Sequence, residues 1–129
     1  MKRILPIFLV ALLLVGCAAP AEEITYRQVN MDEAITMMEE GSGYIILDVR
    51  TLGEFEEKHI PGAINVANET IGTDEIPELP DKDQLILVYC RSGNRSKQAS
   101  EKLVALGYTN IIEFGGINDW PGEVVTGAE

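Results

Sequence analysis

Short apolar blocks with strand spacing alternate along the chain with segments that have helical spacing. Residues 44–47 and 85–89 are apolar on both faces and contain β-branched side chains, which is typical of central strands in a parallel sheet. Shorter strand patterns cover residues 24–29, 63–66 and 111–114. Because strands that alternate with helices favour a parallel sheet covered by helices, the pattern predicts an α/β fold in three layers.

Helix boundaries are marked by capping residues. Asn30 and Thr51 are each followed three residues later by a glutamate, which is the spacing of a capping box at a helix N-terminus. Gly107 ends the last helical pattern. The predicted helices cover residues 31–40, 52–58 and 95–106. The polar and acidic stretch 68–83 is predicted to be mostly a solvated loop.

Composition narrows the classes of function. The chain has 129 residues, of which 46% are hydrophobic and 24% are charged, as in one folded globular domain. The 21 acidic residues outnumber the 10 basic ones, and the net charge is −11. Since a surface of this sign repels phosphate groups, the sequence argues against nucleic-acid binding and against a basic patch that would bind acidic lipids.

The N-terminus has the organisation of an export signal. Lys2 and Arg3 precede an apolar run, 4–15, which is shorter than the roughly 20 residues that a membrane-spanning helix needs. The run leads into residues 14–17, Leu-Val-Gly-Cys, which resemble the lipobox of bacterial lipoproteins. An ordinary signal peptide that is cut elsewhere, with Cys17 incidental, is the alternative.

The lipobox resemblance implies a location outside the cytoplasm. It implies that residues 1–16 form a lipoprotein signal peptide, that Cys17 becomes the lipidated N-terminus, and that residues 17–23 form a short tether. Two or three acyl chains, such as palmitate, anchor a protein stably to a membrane, whereas a single chain holds only marginally. We therefore expect an exported bacterial lipoprotein that is attached to the cell membrane or the outer membrane.

The strongest candidate for chemistry is the loop that follows the strand pattern 85–89. Cys90 lies at the carboxyl end of this strand, where open α/β sheets bind ligands. Loop amides, the N-terminus of the next helix and the bases Arg91 and Arg95 all favour an anion there, and therefore a thiolate. A buried structural thiol is the alternative for a single cysteine after an apolar strand, and the flanking arginines argue against it.

Four motifs in order along the chain resemble those of single-domain rhodaneses, which are thiosulfate sulfurtransferases. They are residues 47–50 with 54–55, residues 59–65, the loop 90–96, and Gly115-Gly116 with Trp120. One departure is Lys58, which stands where the family usually has a glycine before the histidine. The resemblance implies a rhodanese-like domain over residues 24–127, with a five-stranded, mainly parallel sheet and helices on both faces.

The resemblance also implies roles for individual residues. Cys90 is the expected nucleophile, and the loop that binds the substrate or persulfide consists of Arg91, Ser92, Gly93, Asn94, Arg95 and Ser96. Arg91 is the candidate contact for an anionic donor, and Arg95 is expected to brace the loop against Asp48. The supporting residues are Asp48, Arg50, Glu54 and His59. Of these, the acids and the arginine are expected to form structural ion pairs, and the histidine to organise a turn.

Loop length separates this resemblance from a related class of enzymes. Four residues lie between Cys90 and Arg95. Cysteine phosphatases have one residue more between their cysteine and arginine, which makes a wider cradle for a tetrahedral phosphate. The shorter loop suits a persulfide sulfur better, and it argues against phosphatase or arsenate-reductase chemistry.

The implied reaction has two steps and uses no metal or other cofactor. The Cys90 thiolate takes the outer sulfur of a donor such as thiosulfate, and the resulting persulfide gives that sulfur to a thiol or to cyanide. The expected partners are therefore small sulfur anions and these acceptors, and the protein is expected to be a monomer. One alternative is a sulfur-carrier or protein-interaction module that receives sulfur from a partner protein. Another is a purely structural lipoprotein, which would leave the basic loop without a role.

Overall fold

The structure is a computed structural model that describes residues 25–128. The predicted signal peptide, the tether and Cys17 lie outside the described residues, and so does the first residue of the predicted strand 24–29. Within residues 25–128, no helix has both the length and the apolar character that are required to cross a membrane.

Strands and helices alternate along the described part of the chain. The strands are β1 (Arg27–Gln28), β2 (Ile45–Asp48), β3 (Ile64–Asn65), β4 (Ile86–Cys90) and β5 (Ile111–Gly116). The helices are α1 (Met31–Glu40), α2 (Leu52–Glu57) and α3 (Asn94–Ala105), and 3₁₀ turns cover Asn68–Thr70 and Ile117–Asp119. The predicted elements are confirmed with small shifts. The third helix starts one residue earlier than expected, and Cys90 ends β4 instead of opening the loop.

The strands form a parallel sheet. Their order is β1-β5-β4-β2-β3, and each neighbouring pair runs parallel. Strands β2 and β4 lie inside the sheet and are covered on both faces, which explains why their sequences are apolar throughout. The fold class predicted from the sequence is confirmed. The carboxyl ends of the strands bring Asp48, Cys90 and Gly116 to the same edge of the sheet.

A separate hydrophobic core lies on each face of the sheet. On one face, Val88 of β4 belongs to a cluster with Leu103 of α3. On the other face, Leu87 belongs to a second cluster with Phe55 of α2. Because neighbouring residues of a strand point to opposite faces, Cys90 lies on the α3 face together with Val88. The thiol is therefore directed toward the helix that follows it in the chain.

Thr51 starts α2 with the complete capping box that the sequence predicts. The Thr51 hydroxyl accepts a hydrogen bond from the Glu54 amide at 3.3 Å, and the Glu54 carboxylate accepts one from the Thr51 amide at 3.2 Å. At α1, the Asn30 side chain accepts a hydrogen bond from the Glu33 amide at 2.8 Å, which is half of the predicted box. The box at α2 holds the Glu54 side chain in a defined position at the start of that helix.

The stretch 68–83 differs from the prediction of a solvated loop. Its acidic side chains are exposed as expected, but its apolar side chains are inserted into the core on the α3 face. Ile71, Ile76 and Leu79 are each more than nine-tenths buried. The spacing of these residues follows neither a helix nor a strand period, so hydrophobic periodicity does not reveal their burial.

Candidate active site

Cys90 ends β4 with its thiol enclosed by the following loop. The residue is 1% exposed. The Gly93 amide donates a hydrogen bond to the Cys90 Sγ at 2.9 Å, and α3 begins at the next residue. Gly93 has a φ of 111°, in the left-handed region that favours glycine, and this allows the loop to turn back toward the sulfur. The sequence predicts that several loop amides point at the sulfur. Among the hydrogen bonds of residues 25–128, one loop amide, that of Gly93, donates to the Cys90 Sγ.

The loop backbone packs directly on the glycine pair at the end of β5. A Cβ atom on Gly116 would lie 2.0 Å from the Arg91 carbonyl oxygen and 2.5 Å from the Ser92 nitrogen, so a larger residue would displace the loop. Just beyond the pair, the Asn118 amide donates to the same Arg91 carbonyl at 3.2 Å. The close approach of the loop and β5 backbones therefore explains why residue 116 is a glycine. The sequence did not predict that Gly116 belongs to the site.

A buried chain of polar groups connects the Cys90 thiol to a carboxylate. The Ser96 Oγ lies 3.3 Å from the Cys90 Sγ and 2.8 Å from the Glu113 Oε2. The Gly115 amide donates to the same Glu113 oxygen at 2.7 Å. Ser96 is fully buried and Glu113 is 3% exposed. Sequence reasoning missed Glu113, although a single charged residue inside an apolar strand is a signal that could have identified it.

Arg95 connects the first turn of α3 with α2. Its guanidinium donates two hydrogen bonds to the Glu54 carboxylate, at 2.6 and 3.0 Å. The prediction that Arg95 braces the loop against Asp48 is wrong, because Asp48 pairs with Arg50 instead. The Arg95 guanidinium lowers the pKa of Glu54 from an ordinary value of 4.5 to about 2. This pair therefore holds the end of the loop at which α3 begins.

A second ion pair, between Asp48 and Arg50, is buried at the end of β2. The Arg50 guanidinium donates to both Asp48 carboxylate oxygens, at 2.7 to 3.1 Å, and to the Lys58 carbonyl at 2.6 Å. Burial and the nearby Asp48 carboxylate raise the pKa of the Tyr89 hydroxyl, which accepts a hydrogen bond from the Ile60 amide. The pair has the geometry of a structural brace between β2 and the turn after α2.

His59 is fully buried in the turn after α2. Its ring stacks on Phe55, with the centroids 3.8 Å apart, and its Nδ1 lies 2.9 Å from the Phe55 carbonyl oxygen. Its backbone exchanges two hydrogen bonds of 2.9 Å with Val125, near the C-terminus. These contacts are those of a residue that organises a turn, and the role itself stays a prediction.

Exposed side chains surround the enclosed thiol. The exposed loop residues are Arg91, Ser92 and Asn94. Arg91 lines a polar cavity of about 140 Å³ together with Lys58 and the acid Glu57, whereas the other charged lining residues, Arg50 and Glu54, are paired. An exposed base at such a cavity attracts small anions from solution. Of the predicted loop residues, Gly93 and Ser96 are thus brought to the sulfur itself, and the exposed ones form the outer surface of the loop.

The described residues offer no metal site. Within residues 25–128, no three side chains of His, Cys, Asp or Glu are gathered in a way that could hold a metal ion. The carboxylates of the two ion pairs are instead occupied, Glu54 by Arg95 and Asp48 by Arg50.

The sheet, the loop and the glycine pair together match a known domain family. The family model of the rhodanese-like domain matches residues 30–123, a range that includes four of the five strands, the Cys90 loop and the glycine pair. The chain belongs to the rhodanese family. The matched range begins at Asn30, the residue that caps α1, and extends past Trp120.

Proteins similar to this rhodanese-like domain include a thiosulfate sulfurtransferase and a putative sulfur carrier protein. The chain is 36% identical over 73 residues to the thiosulfate sulfurtransferase PspE of Escherichia coli. This alignment covers 57% of the chain and 70% of PspE. The chain is 33% identical over 98 residues to the putative sulfur carrier protein YrkF of Bacillus subtilis, which covers 75% of this chain and 47% of YrkF. The solution NMR structure of a rhodanese-like domain from Anabaena sp superposes with a TM-score of 0.70 at 25% identity, over 81% of this chain and 82% of that one.

Proposed function

We propose that the protein is a sulfurtransferase that moves a sulfane sulfur from thiosulfate, or a related donor, to a thiol or cyanide through a persulfide on Cys90. The observation that carries this proposal is the enclosure of the Cys90 Sγ by a short loop whose Gly93 amide donates to the sulfur at 2.9 Å. A donor directed at the sulfur stabilises negative charge on it. The similarity to a thiosulfate sulfurtransferase, of which the chain covers 70%, supports the same chemistry.

In the first step, the Cys90 Sγ attacks the outer sulfur of thiosulfate. A disulfide-type bond forms between these two sulfur atoms, the bond inside thiosulfate breaks, and sulfite leaves with that electron pair. Arg91, at the cavity of about 140 Å³, attracts the donor dianion. Because Cys90 is only 1% exposed, we expect the exposed loop residues to be displaced when the donor enters.

In the second step, a nucleophilic acceptor attacks the outer sulfur of the persulfide. A thiolate acceptor becomes a persulfide and cyanide becomes thiocyanate, while Cys90 leaves as a thiolate. The electrons balance within these bonds, so the reaction requires no redox cofactor. Cys90 is the one cysteine among residues 25–128, so its persulfide waits there for an external acceptor.

Mass spectrometry of the purified chain after treatment with thiosulfate tests the proposal. We expect one added sulfur atom on the peptide that contains Cys90, and we expect a thiol reductant to remove it. The matched control is Cys90→Ser, which should gain no sulfur under the same conditions. A wild-type protein that gains no sulfur at saturating thiosulfate contradicts the proposed donor.

A sulfur carrier is the second candidate function. The similarity to YrkF, whose name is putative sulfur carrier protein, favours this candidate. Arg91 separates the two functions, because a small anionic donor depends on an exposed base and a protein donor depends on it much less. The experiment compares Arg91→Ala with the wild type when Cys90 is loaded by thiosulfate and by a protein persulfide. A loss confined to thiosulfate favours the enzyme.

We also propose that Cys17 carries acyl chains that anchor the domain to the cell membrane or the outer membrane. The support is the sequence of residues 14–17 at the end of a short apolar run. Cys17→Ser should abolish both the incorporation of labelled palmitate and the cleavage of residues 1–16. Cell fractionation provides the second measurement, and a wild-type protein that is unlabelled and absent from the membrane fraction contradicts the anchor.

A further inference from the structure

We propose that Glu113 is a positioning residue that takes up the proton of the Cys90 thiol through Ser96, so that the thiol and the carboxylate share one proton. The inference deepens the proposed function and rests on it, since it assigns a purpose to a buried acid that the sulfur-transfer steps leave unused. Glu113 is 3% exposed, and its Oε2 accepts hydrogen bonds from the Ser96 hydroxyl and the Gly115 amide.

The Ser96 hydroxyl has one hydrogen and several acceptors around it. Its Oγ lies 2.8 Å from the Glu113 Oε2, 3.0 Å from the Gly93 carbonyl oxygen and 3.3 Å from the Cys90 Sγ. A hydrogen bond to an ionised carboxylate is roughly twice as strong as one between neutral groups. The hydrogen therefore goes to Glu113 when that carboxylate is ionised. A lone pair of the Ser96 oxygen then accepts the S–H of the thiol.

A second arrangement follows from the transfer of one proton along this chain. The thiol proton moves to the Ser96 Oγ, and the hydrogen that Ser96 carried moves to the Glu113 Oε2. Cys90 is then a thiolate that accepts a hydrogen bond from Ser96, while the neutral Glu113 donates one to Ser96. One S–H bond and one O–H bond break and two O–H bonds form, and the net charge of the site is unchanged.

The burial of Cys90 and Glu113 favours a proton that the two groups share. Cys90 is 1% exposed and Glu113 is 3% exposed, and burial disfavours a charge on either group. A shared proton leaves one negative charge in the pair in both arrangements, instead of two charges of the same sign in one buried space. The thiolate can therefore form without transferring its proton to bulk water.

Other charged groups face the pair from the surrounding elements. They are Arg95 and Lys97 of α3, Tyr26 before β1 and Asp119 after β5. The Glu54 carboxylate raises the pKa of Arg95 and Cys90 adds to this shift, while burial, Glu101 and Glu113 raise that of Tyr26. Lys97 and Asp119 are exposed at a cavity of about 320 Å³ that Glu113 also lines. The hydrogen bonds that connect the thiol with Glu113 nevertheless pass through Ser96.

The pH dependence of Cys90 alkylation by iodoacetamide, measured in the full chain by mass spectrometry of the Cys90 peptide, tests the proposal. Two groups that interact by more than about one pK unit titrate in two macroscopic steps, so the wild-type rate should rise with pH in two steps. Glu113→Gln keeps the size of the side chain and offers an N–H to Ser96, but it cannot take up a proton. For Glu113→Gln we expect the alkylation rate to rise with pH in one step. The midpoint of this step should lie at least about one pH unit below the upper midpoint of the wild type.

A matched control separates the hydrogen-bonded path from a general effect of charge. Glu101→Gln removes an exposed acid on α3 and should keep both steps, with each midpoint within about 0.3 pH unit of the wild type. Ser96→Ala removes the group between the sulfur and the carboxylate. In this background, the shift caused by Glu113→Gln should fall to less than about half, because contacting residues that act through each other are not additive.

A wild-type profile with a single step overturns the proposal, and so does an undiminished shift in the Ser96→Ala background. Thermal unfolding identifies a variant that does not fold. If Glu113→Gln fails in this way, Ser96→Ala alone decides, since an unchanged two-step profile then contradicts the path through Ser96. Alkylation needs no sulfur donor, so a protein that forms no persulfide would reject the proposed function without changing these outcomes.

Discussion

The two parts of the Cys90 loop depend on different forces. We define the loop floor as Cys90, Ser96, Glu113 and Gly116, and the loop rim as Arg91, Ser92 and Asn94. Every residue of the loop floor is buried, and every residue of the loop rim is exposed. The floor is held by a backbone contact and by buried hydrogen bonds. The rim presents its side chains to solvent, where salt and water weaken charge interactions.

We therefore expect the loop floor to determine the geometry of the site and the loop rim to determine its charge interactions with the donor. A close-packed interior transmits even small displacements, so a change in the floor should alter both activity and stability. A change in the rim should alter the capture of an anionic donor and leave stability nearly unchanged. Substitutions in each part therefore test this contrast.

Removal of the nucleophile from the loop floor should have the largest effect. Cys90→Ser is expected to lose all measurable transfer of sulfur from thiosulfate to cyanide, because a serine hydroxyl cannot form a stable persulfide. The serine oxygen can accept the Gly93 amide, so the free energy of unfolding should fall by no more than about 2 kcal/mol. The thiosulfate–cyanide assay and chemical denaturation measure the two quantities. Residual transfer by Cys90→Ser would remove the basis of the nucleophile assignment.

Displacement of the loop should have the next largest effect. In Gly116→Ala the added methyl group meets the Arg91 carbonyl oxygen at 2.0 Å, so the backbone must shift. We expect kcat/KM for thiosulfate to fall by about 100-fold and the free energy of unfolding to fall by about 1–3 kcal/mol. The matched control is Gly72→Ala, which meets nothing within 4 Å and should stay within about 0.5 kcal/mol of the wild type. Equal behaviour of the two variants contradicts the contact.

A change in the loop rim should affect the donor more than the fold. Arg91→Ala is expected to lower kcat/KM for thiosulfate by about tenfold at low salt, and the loss should shrink as salt screens the attraction. The free energy of unfolding should change by less than about 0.5 kcal/mol. Arg27→Ala, which removes an exposed base of β1, is the control and should leave kcat/KM unchanged. An unchanged kcat/KM in Arg91→Ala excludes Arg91 as the donor contact.

The ion pair beside the loop should have the smallest effect, and the effect should depend on pH. The folded-state pKa of Glu54 is about 2, below its ordinary value of 4.5, so its pairing with Arg95 stabilises the protein fully above pH 4.5. Glu54→Gln should lower the free energy of unfolding by about 1 kcal/mol at pH 7.

This difference from the wild type should disappear as the pH falls from 4.5 toward 2. Glu56→Gln removes an exposed acid of the same helix and serves as the control. Denaturation at a series of pH values measures both variants, and a constant difference across this window contradicts the assignment to Glu54.

Local elements of the fold could be predicted because their signals lie within a few neighbouring residues. The glutamate three residues after Thr51 marks the start of α2, and the capping box is complete in the structure. The apolar run before Cys90 marks β4, an interior strand with a helix-covered core on each face. The position of Cys90 at the carboxyl end of the sheet follows from this apolar run and from the rule that ligand sites lie where parallel strands end.

The sequence could not predict which acid pairs with which arginine in the site, because several candidates of the same charge lie near the strand ends. Arg95 was expected to meet Asp48, but it meets Glu54. The Asp48 carboxylate is occupied by Arg50, which lies two residues away and also reaches the Lys58 carbonyl. The order of such residues along the chain contains no information about the distances between helices, so sequence could indicate an ion-pair set but not its pairing.

Local hydrophobic periods and turn residues specify the order of strands and helices, the thiol at the end of an interior strand and the base that follows it. The tertiary structure alone decided which surfaces meet. It placed Gly116 under the Arg91 carbonyl and Glu113 behind Ser96, although 25 and 17 residues, respectively, separate these pairs along the chain. Those contacts depend on the packing of β5 beside β4 and beneath α3, and no local pattern in the sequence specifies that packing.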